Sequence, residues 1–468
     1  MSDQDFSPQD LGITEADWQQ TPPAVRGALG TLHAELAKIK EQLNLNSDTS
    51  SKPPSSDKSR RKREQKGKLP SGKKRGAQPG HKGRRRQPKL PDQVNEIRIY
   101  KPDTCRHCGE ALRGEDANPS RWQVTEIPLV RPTVTEHQIH TLRCRCGKTT
   151  RGQLPPNVAT SQFGPRLTAL VGMLVGQERL SKRAVKRVLK TLFDVDISVG
   201  GVVARQREVG ASLVKPYEAV AAHVKTAVSR NIDETPWREN GQRAWLWSVV
   251  GTEATLFHID PHRTRSTAQM LLGDSPNATA TSDRFTAYNR LDPQRHQTCW
   301  AHLLRAFRRF QLRDGPSARV GGMLELYGDY LLHLWREVKR GHLNRDDFLA
   351  EVPQHQADIQ RWLETGACLD HDQTAGTWRR LLRQWPILWT FTRFEGVEPT
   401  NNAVERALRH GVIWRKLSYG TASAHGSRFV ERILTVIATA RQQGIDLIRY
   451  LTDAMVAQRM GLPTPVLL

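Results

Sequence analysis

The first segment with a clear hydrophobic pattern, residues 22–45, carries apolar residues at heptad spacing. Six of them are separated alternately by four and three positions: Val25, Leu29, Leu32, Leu36, Ile39 and Leu43. This spacing is that of a coiled-coil seam, so it predicts a helix at the end of a first segment, residues 1–45. Because fewer than three heptads are present, the seam either pairs with a second copy of the chain or packs on the chain's own body.

The next segment, residues 46–92, has no periodicity and is rich in Ser, Pro, Gly, Lys and Arg. Such a composition buries too little apolar surface to offset the entropy of ordering, so it predicts a basic arm that is disordered when free. Opposite DNA, the arm would supply a salt-sensitive attraction that does not depend on base sequence. The alternative is a solubilising linker. The candidate DNA-contacting residues of the arm are Arg60, Arg61, Lys62, Arg63, Lys73, Lys74, Arg75, Arg84, Arg85 and Arg86.

Short segments in which apolar and polar residues alternate come next, and a helical region follows them. Residues 94–100, 122–128 and 133–142 predict strands of a small domain over residues 93–155. In residues 156–222 the apolar period is helical, and Ser181 and Ser198 are candidate N-caps of the second and third helices. Helices with basic outer faces joined by a short turn are typical of a helix-turn-helix, but also of plain helical bundles. The basic residues predicted to contact DNA here are Lys182, Arg183, Lys186, Arg205 and Arg207.

The pattern becomes strand-like over residues 223–313. Five strands are predicted at residues 225–233, 244–250, 255–260, 278–283 and 296–300, with helices at 267–272 and 301–310. Three strands joined by short turns imply an antiparallel meander, and the later helical crossovers imply parallel additions. This order predicts a multidomain α/β protein with a ribonuclease-H-like mixed sheet. The remaining segments are predicted to be an all-helical insertion with its own core and five tryptophans (314–399), a helix of the catalytic core (400–426) and C-terminal helices (427–468).

Composition and charge narrow the class of protein. Of the 468 residues, 71 are Lys or Arg and 48 are Asp or Glu, which gives a net charge of +23. No apolar run approaches the ~18–20 residues of a transmembrane helix, and the acidic N-terminus has no hydrophobic stretch typical of a signal peptide. We therefore expect a cytoplasmic, nucleoid-associated protein that makes no membrane contact and whose partner is a polyanion.

Four of the six cysteines lie in two close pairs, Cys105–Cys108 and Cys144–Cys146, and a glycine follows each pair directly. Thiolates two or three residues apart can hold one Zn²⁺ from a tight turn, and two such turns complete a tetrahedral four-sulfur site. The spacing therefore predicts a structural Zn²⁺ in a zinc-binding domain. A redox dithiol is the alternative for the first pair, but it leaves the second pair unexplained.

Three acidic residues are candidate ligands of a catalytic metal. Asp233 and Asp283 close the first and fourth predicted strands, which are neighbours in a ribonuclease-H-like sheet, and Glu405 lies on a later helix. Carboxylate oxygens suit Mg²⁺ or Mn²⁺, and two such ions per active site would activate a hydroxyl and stabilise the leaving oxygen of a phosphodiester. The alternatives are polar strand ends for the aspartates, and a capping box or an ion pair with Arg409 for Glu405.

Together these segments resemble the large transposase of the insertion-sequence-66 family, a group of DDE transposases of bacterial mobile elements. The resemblance covers nearly the whole chain and runs in one order. It consists of the leucine-seam helix, NSDTSSKPPSSD, RGAQPGHKGR, the paired cysteines, DET from Asp233, SDRFTAY, CWAHLLRAF from Cys299, and NNAVERALR with RK at Arg415 and Lys416. The chain differs at Leu417-Ser418, where the family more usually has Asn-Trp.

The resemblance implies that Asp233, Asp283 and Glu405 are the catalytic residues. It implies cleavage of DNA at the terminal inverted repeats of the element to expose 3′-hydroxyls, and their joining to target DNA by transesterification without a covalent enzyme–DNA intermediate. His302 and Arg305 are expected near the site, and Arg415 and Lys416 join the DNA-contacting residues. The implied partners are DNA, further copies of the chain in a homo-oligomer, and two small accessory proteins of the same element.

Two alternatives come from other functional classes. One is a DNA-binding regulator or accessory factor with a catalytically inactive core. The other is a structural dimeric scaffold built on the heptad helix and the Trp-rich segment. Divalent-metal-dependent nicking of DNA distinguishes a transposase from both.

Overall fold

The structure, a computed structural model, describes residues 13–44, 87–155, 158, 161–313, 315–369 and 372–468. The chain divides into two compact units. One comprises Met1–Lys58, Val134–Thr191 and Val195–Leu468, and the other comprises Ser59–Thr133 with Leu192–Asp194. The ten predicted DNA-contacting residues of the basic arm lie outside the described residues.

The N-terminal segment forms helices α1 (Glu15–Gln20) and α2 (Pro23–Asn44). Thr14 caps α1 by accepting a hydrogen bond from the Asp17 backbone at 3.2 Å, an element that the periodicity did not predict. The heptad helix is confirmed as α2. Its seam residues Leu32, Leu36 and Ile39 are exposed by half or more of their surface, so these three do not pack on any other described part of the chain.

Residues 87–155 contain less β structure than the sequence predicts. Within this part of the chain the strands are β1 (Thr141–Arg143) and β2 (Thr149–Arg151), an antiparallel pair, and a 3-10 turn forms at Pro91–Gln93. The predicted strands at 94–100 and 122–128 are wrong, and of 133–142 only the last two residues are in a strand. The reason is that these segments have no partner strand among the described residues. Ile99 and Trp122 stay 73% and 91% exposed, so the alternation of apolar and polar residues does not mark a buried face.

Four helices follow: α3 (Pro165–Gly176), α4 (Lys182–Phe193), α5 (Val199–Ser212) and α6 (Val214–Thr226). Both predicted caps are confirmed, since Ser181 accepts from Ala184 N at 3.2 Å and Ser198 accepts from Gly201 N at 2.9 Å. Helix α3 packs closely on α5, because a Cβ on Gly172 would stand 2.8 Å from Val209 Cγ1. Glycine is required there by space rather than by backbone conformation.

A five-stranded mixed sheet forms the centre of the larger unit. Its strands are β3 (Ser229–Glu239), β4 (Gln242–Val250), β5 (Thr255–Asp260), β6 (Thr279–Ser282) and β7 (His296–Thr298). Their spatial order is β5-β4-β3-β6-β7, with β3, β4 and β5 antiparallel and with β6 and β7 parallel to β3 and to each other. All five predicted strands and their pairing directions are confirmed. Some strand ends are wrong. β3 begins at Ser229 and does not end at Asp233 but continues for six residues, and β6 ends at Ser282, so Asp283 follows this strand rather than closing it.

Helix α7 (Arg265–Leu272) crosses from β5 to β6, and α8 (Trp300–Gln311) follows β7. The helical insertion then comprises α9 (Pro316–Arg340), α10 (Arg345–Ala367), α11 (Asp372–Arg383), a 3-10 turn at Trp385–Leu388 and α12 (Thr390–Arg393). The prediction that the insertion has its own core is wrong. The core is shared with α8: Trp300 and Phe307 are buried in one cluster with Trp335, Trp378 and Trp389. The insertion therefore continues the packing of α8.

Three helices complete the chain: α13 (Asn402–Ser418), α14 (Ala424–Gln442) and α15 (Leu447–Met460). Helix α14 covers the edge strand β5. The backbone N–H groups of Thr255, Phe257 and Ile259 donate to the side chains of Thr439, Thr435 and Glu431 at 3.2, 2.9 and 2.6 Å. Every second residue of β5 is thus bonded by α14 residues one turn apart, which prevents this edge from pairing with another strand.

Candidate active site

The register of β3 and β6 brings two of the predicted acidic residues side by side. The parallel ladder pairs Ser229 with Thr279 and Asn231 with Thr281. Extending it by two residues places Asp233 opposite Asp283, which directly follows β6. Because side chains alternate along a strand, residues two apart share a face, so both aspartates lie on the same side as Asn231 and Thr281.

Glu405 reaches the same place from the first turn of α13. Asn401, the N-cap residue, is fully buried; its Nδ2 donates to the Ile232 carbonyl at 2.9 Å and its backbone N–H contacts Cys299 Sγ at 3.1 Å. These bonds tie the start of α13 to β3 and to the residue before α8. The capping-box alternative takes Asn402, three residues before Glu405, as the cap. The N-cap is instead Asn401, four residues before Glu405, and it makes no side-chain capping bond, so no capping box forms.

The electrostatics show that the three carboxylates are near one another. Burial raises the pKa of the Asp233 carboxyl well above its ordinary value, and the charges of Glu234, Asp283 and Glu405 raise it further. Burial also raises the pKa of Asp283, against the lowering effect of the Phe285 N–H, which donates to it at 2.8 Å. A carboxyl whose pKa is raised by neighbouring negative charges in this way lies where a cation would be stabilised.

Glu234, next to Asp233, lies on the other side of the strand and has separate partners. Its carboxylate accepts from Arg263 Nε at 2.6 Å and from the Tyr288 hydroxyl, and its side chain is fully buried. Arg263 also stacks on the rings of Trp245 and Phe285, at 4.7 and 3.5 Å from their centroids. As predicted, only one of the two adjacent acidic residues joins the cluster.

His302 and Arg305 of α8 contact Glu405, which confirms that they lie beside this residue. Arg305 Nη2 is 3.6 Å and His302 Nδ1 is 3.7 Å from Glu405 Oε1. Burial, together with the charges of Arg305 and Arg284, lowers the pKa of His302 to about 3, so its ring is neutral near pH 7 and forms no ion pair.

Ligand atoms of Cys299, His302 and Glu405 lie within 4.8 Å of one another, closer than those of any other such group in the described part of the chain. The three predicted catalytic carboxylates are therefore more widely spaced than this trio.

A cleft of about 450 Å³ lies next to Asp283. Its lining includes Arg284 beside Asp283, and Arg380 and Arg383 of α11. Burial lowers the pKa of the Arg284 guanidinium, and the nearby charges of Arg380 and Arg309 lower it further. Cations packed together in this way favour an anion between them, and backbone phosphates of DNA are such anions.

The DNA-contacting residues predicted in the described part of the chain have different surroundings. Arg183, Lys186 and Arg207 are exposed. Burial lowers the pKa of Lys182 to about 8. Arg205 pairs with Glu208 at 3.1 Å and stacks on Phe163, so much of its charge is already balanced inside the helical region. Arg415 donates to Thr235 and to the Pro236 carbonyl on β3, while Lys416 is exposed.

Each cysteine pair forms a tight turn. Cys105 N donates to the Glu110 carbonyl at 2.8 Å and Gly109 N to the Cys105 carbonyl at 2.9 Å. Cys144 N donates to the Lys148 carbonyl at 2.7 Å, and Gly147 N to the Cys144 carbonyl at 2.9 Å. Backbone N–H groups lower the pKa of Cys105 and of Cys144, which favours the thiolate. Gly109 and Gly147 have φ of +79° and +84°, the conformation in which glycine is preferred.

Sequence reasoning did not identify Arg263, Tyr288, Arg284, Arg380 or Arg383. Arg284 and Tyr288 lie within the segment SDRFTAY, where a motif signal was available, whereas Arg263 lies just before α7 in no such segment. Arg380 and Arg383 are basic residues on an amphipathic helix, and nothing in their spacing indicates that α11 reaches the cleft beside Asp283.

Comparison with known proteins gives two family matches and one relative. Residues 160–428 match the family described as "Transposase IS66 family", and residues 7–87 match a family of unknown function, DUF6444. A relative from Sinorhizobium fredii (strain NBRC 101917 / NGR234), "Uncharacterized protein y4qI", is 25% identical over 248 residues, which are 47% of this chain and 45% of that protein. The chain thus spans about half the length of this curated relative. Among the described residues, no helix has the length and apolar character needed to cross a membrane.

Proposed function

The chain belongs to the IS66 transposase family, over more than half of its length, and we propose that it is a DDE DNA transposase. It binds the terminal inverted repeats of its element, cleaves phosphodiesters to expose 3′-hydroxyls and joins these to target DNA. Asp233, Asp283 and Glu405 are the catalytic carboxylates of a ribonuclease-H-like core. The strand order β5-β4-β3-β6-β7, with three antiparallel strands followed by two parallel ones, supports this assignment of the core.

The observation that carries the proposal is the convergence of the three carboxylates. They come from β3, from the end of β6 and from α13, which are separated by 50 and 122 residues in the sequence, and two of them raise the pKa of the third. Acidic residues that are polar strand ends alone would have no reason to meet. A carboxyl whose pKa is raised by neighbouring carboxylates is typical of sites built to bind a cation or to transfer protons.

The residues present fit divalent metal ions. Glu405 Oε1 is buried without a hydrogen-bond partner, and Asp233 and Asp283 offer further oxygens, the ligand type of Mg²⁺ and Mn²⁺. When bound, a pair of such ions activates the attacking hydroxyl or water and stabilises the leaving oxygen. Asp233, Asp283 and Glu405 would hold them.

The chain's own residues position this site. The Phe285 N–H orients the Asp283 carboxylate, and Asn401 fixes the start of α13, so Glu405 is held against β3. Arg305 lies 3.6 Å from Glu405 and balances part of its charge. Arg284, Arg380 and Arg383 line the cleft that begins at Asp283, where they would bind the phosphates on one side of the scissile bond.

The other parts of the chain take supporting roles in the proposal. The basic arm and the helices around α4 and α5 bind the DNA backbone, and the two cysteine turns bind structural Zn²⁺. The exposed seam of α2 joins copies of the chain into a homo-oligomer. Two small accessory proteins of the element complete the assembly. The exposure of Arg183, Lys186 and Arg207 supports a DNA-binding role for those three residues.

The decisive experiment is Mg²⁺-dependent nicking and strand transfer on DNA that carries the ends of the element. We expect products from the parent protein and none from Glu405→Gln, which keeps the shape of the side chain but removes its charge. Asp283→Asn should likewise abolish joining while end binding, measured by gel shift, stays within about twofold, because phosphate contacts dominate affinity. Joining at the parent rate by Asp283→Asn would show that the carboxylates are wrongly assigned.

The regulator alternative makes a different prediction in the same assay. A DNA-binding regulator with an inactive core binds the element ends but yields no products, even after the accessory proteins are added. The family match and the convergent carboxylates favour the transposase.

A further inference from the structure

Three ligand groups of different chemistry meet at the start of α8. A Cys299 sulfur, a His302 ring nitrogen and a Glu405 oxygen all lie within 4.8 Å of one another. Cys299 and His302 are three residues apart at the N-terminus of α8 and so face the same side. Glu405 is brought to them by α13, whose N-cap Asn401 contacts Cys299 Sγ through its backbone N–H.

Two of these groups are incompletely satisfied. His302 Nδ1 and Glu405 Oε1 are buried and lack a hydrogen-bond partner, and the 3.7 Å between them is too long for a hydrogen bond. Buried polar atoms without partners cost free energy, and a ligand placed between them would recover it.

We propose that Cys299, His302 and Glu405 bind a thiophilic divalent cation of the Zn²⁺ class, and that this cation withdraws Glu405 from the catalytic carboxylates and stops DNA cleavage. Sulfur, imidazole and carboxylate together are ligands of Zn²⁺, whereas Mg²⁺ selects oxygen alone. On binding, a sulfur lone pair bonds to the metal and the thiol proton passes to solvent, without oxidation. The inhibitory half of the proposal rests on the proposed function; the binding half does not.

Metal binding is tested on the full chain with Co²⁺, which gives a charge-transfer absorption with thiolates and replaces Zn²⁺ at such sites. The quantity compared is the absorption of the parent minus that of Cys299→Ser, because the two cysteine turns contribute equally to both proteins. We expect a positive difference band that His302→Asn also removes and that Cys368→Ser, a matched cysteine change outside the cluster, leaves intact. Circular dichroism identifies variants that fail to fold.

Two results would overturn the site. One is an identical spectrum for the parent and a folded Cys299→Ser protein. The other is loss of the band in Asp283→Asn, since Asp283 belongs to the catalytic carboxylates and not to this trio.

Inhibition is tested by adding Zn²⁺ to the Mg²⁺-dependent nicking assay. We expect the half-inhibitory Zn²⁺ concentration to rise by at least about tenfold in Cys299→Ser, as loss of a metal contact typically requires, and to stay unchanged in Cys368→Ser. Equal inhibition of both variants would refute the inhibitory role. A parent protein that binds Co²⁺ but never nicks DNA would contradict the proposed function while leaving the metal site standing.

Discussion

At the scale of single residues, the pair Asp233–Glu234 shows how one strand serves two purposes. Asp233 faces the other carboxylates, whereas Glu234 faces Arg263 and Tyr288 and is fully buried. Burial raises the pKa of the Glu234 carboxyl, and the Tyr288 hydroxyl and Arg263 act in the opposite direction. Arg263 and Tyr288 thus hold the Glu234 carboxyl on the opposite side of β3 from Asp233.

This arrangement predicts that Arg263→Ala destabilises the fold. Removing one partner of a buried ion pair leaves a charge without compensation, and because Arg263 is about one-third exposed we expect a loss of about 2–3 kcal/mol in the free energy of unfolding. Urea denaturation followed by tryptophan fluorescence measures it, and Arg265→Ala, an exposed arginine two residues away, is the control. A midpoint that both variants leave unchanged would contradict the role given to Arg263.

The sequence singles out Asp233, Asp283 and Glu405 as candidate site residues, because acidic residues at predicted strand ends and in known motifs stand out. It does not indicate which residues bond their surroundings. Arg263 bonds Glu234 from 29 residues away, and Asn401 bonds Ile232 from 169 residues away. Such pairings depend on how the elements pack, and periodicity carries no information about packing across those distances.

At the scale of elements, the sequence predicts β4 and β5 well because these strands are largely apolar and buried, whereas β6 and β7 are buried but mostly polar and are short. The continuation of β3 past Asp233 was missed, because Pro236 in TPW argues against a strand. The structure accommodates this proline because β6 pairs with β3 only over Ser229–Asn231, so β4 is the one neighbouring strand of the sheet at Pro236. The strands predicted at 94–100 and 122–128 are absent for a different reason. Apolar and polar residues alternate there, but no neighbouring strand in the described part of the chain pairs with these segments.

Helix α11 carries the second prediction. If the cleft beside Asp283 binds DNA phosphates, Arg380→Ala should weaken binding to all DNA sequences alike and reduce the slope of log affinity against log salt by about 1. Arg379→Ala is the matched control, because Arg379 is the neighbouring exposed arginine of α11 and is not part of the cleft lining. Fluorescence anisotropy at several salt concentrations measures both slopes. Equal slopes for the two variants would place the DNA elsewhere.

The cysteine turns carry the third prediction. Replacing Cys105 and Cys108 together by Ser should release about one Zn²⁺ per chain and lower the thermal stability of this region, since structural zinc contributes directly to folding. Elemental analysis of the purified protein gives the zinc content. His107→Ala should retain its zinc, because His107 lies within the first turn but is not one of the four predicted ligands. A zinc content unchanged from that of the parent protein would refute the assignment.

At the scale of the whole molecule, the order of elements was predictable and the long-range contacts were not. Helix α14 was expected as a C-terminal helix, yet its side chains at Glu431, Thr435 and Thr439 complete the hydrogen bonding of β5, more than 170 residues earlier. The insertion was expected to have a separate core, but α8 provides part of it. A core shared in this way makes α8, which also carries His302 and Arg305, the element that connects the insertion to the candidate site.

The exposed seam of α2 carries the last prediction, on assembly. Leu32 is 61% exposed and Leu36 50% exposed, and apolar residues at heptad spacing gain most by pairing with the same seam of a second copy. Leu32→Asp would place a charge in that seam, so we expect it to reduce the mass measured by sedimentation equilibrium towards that of one 53.0 kDa chain. Thr31→Asp adds the same charge one residue away, outside the seam, and should leave the oligomer intact. If both variants keep the parent mass, copies of the chain associate through a different surface; if both dissociate, the added charge rather than the seam is responsible.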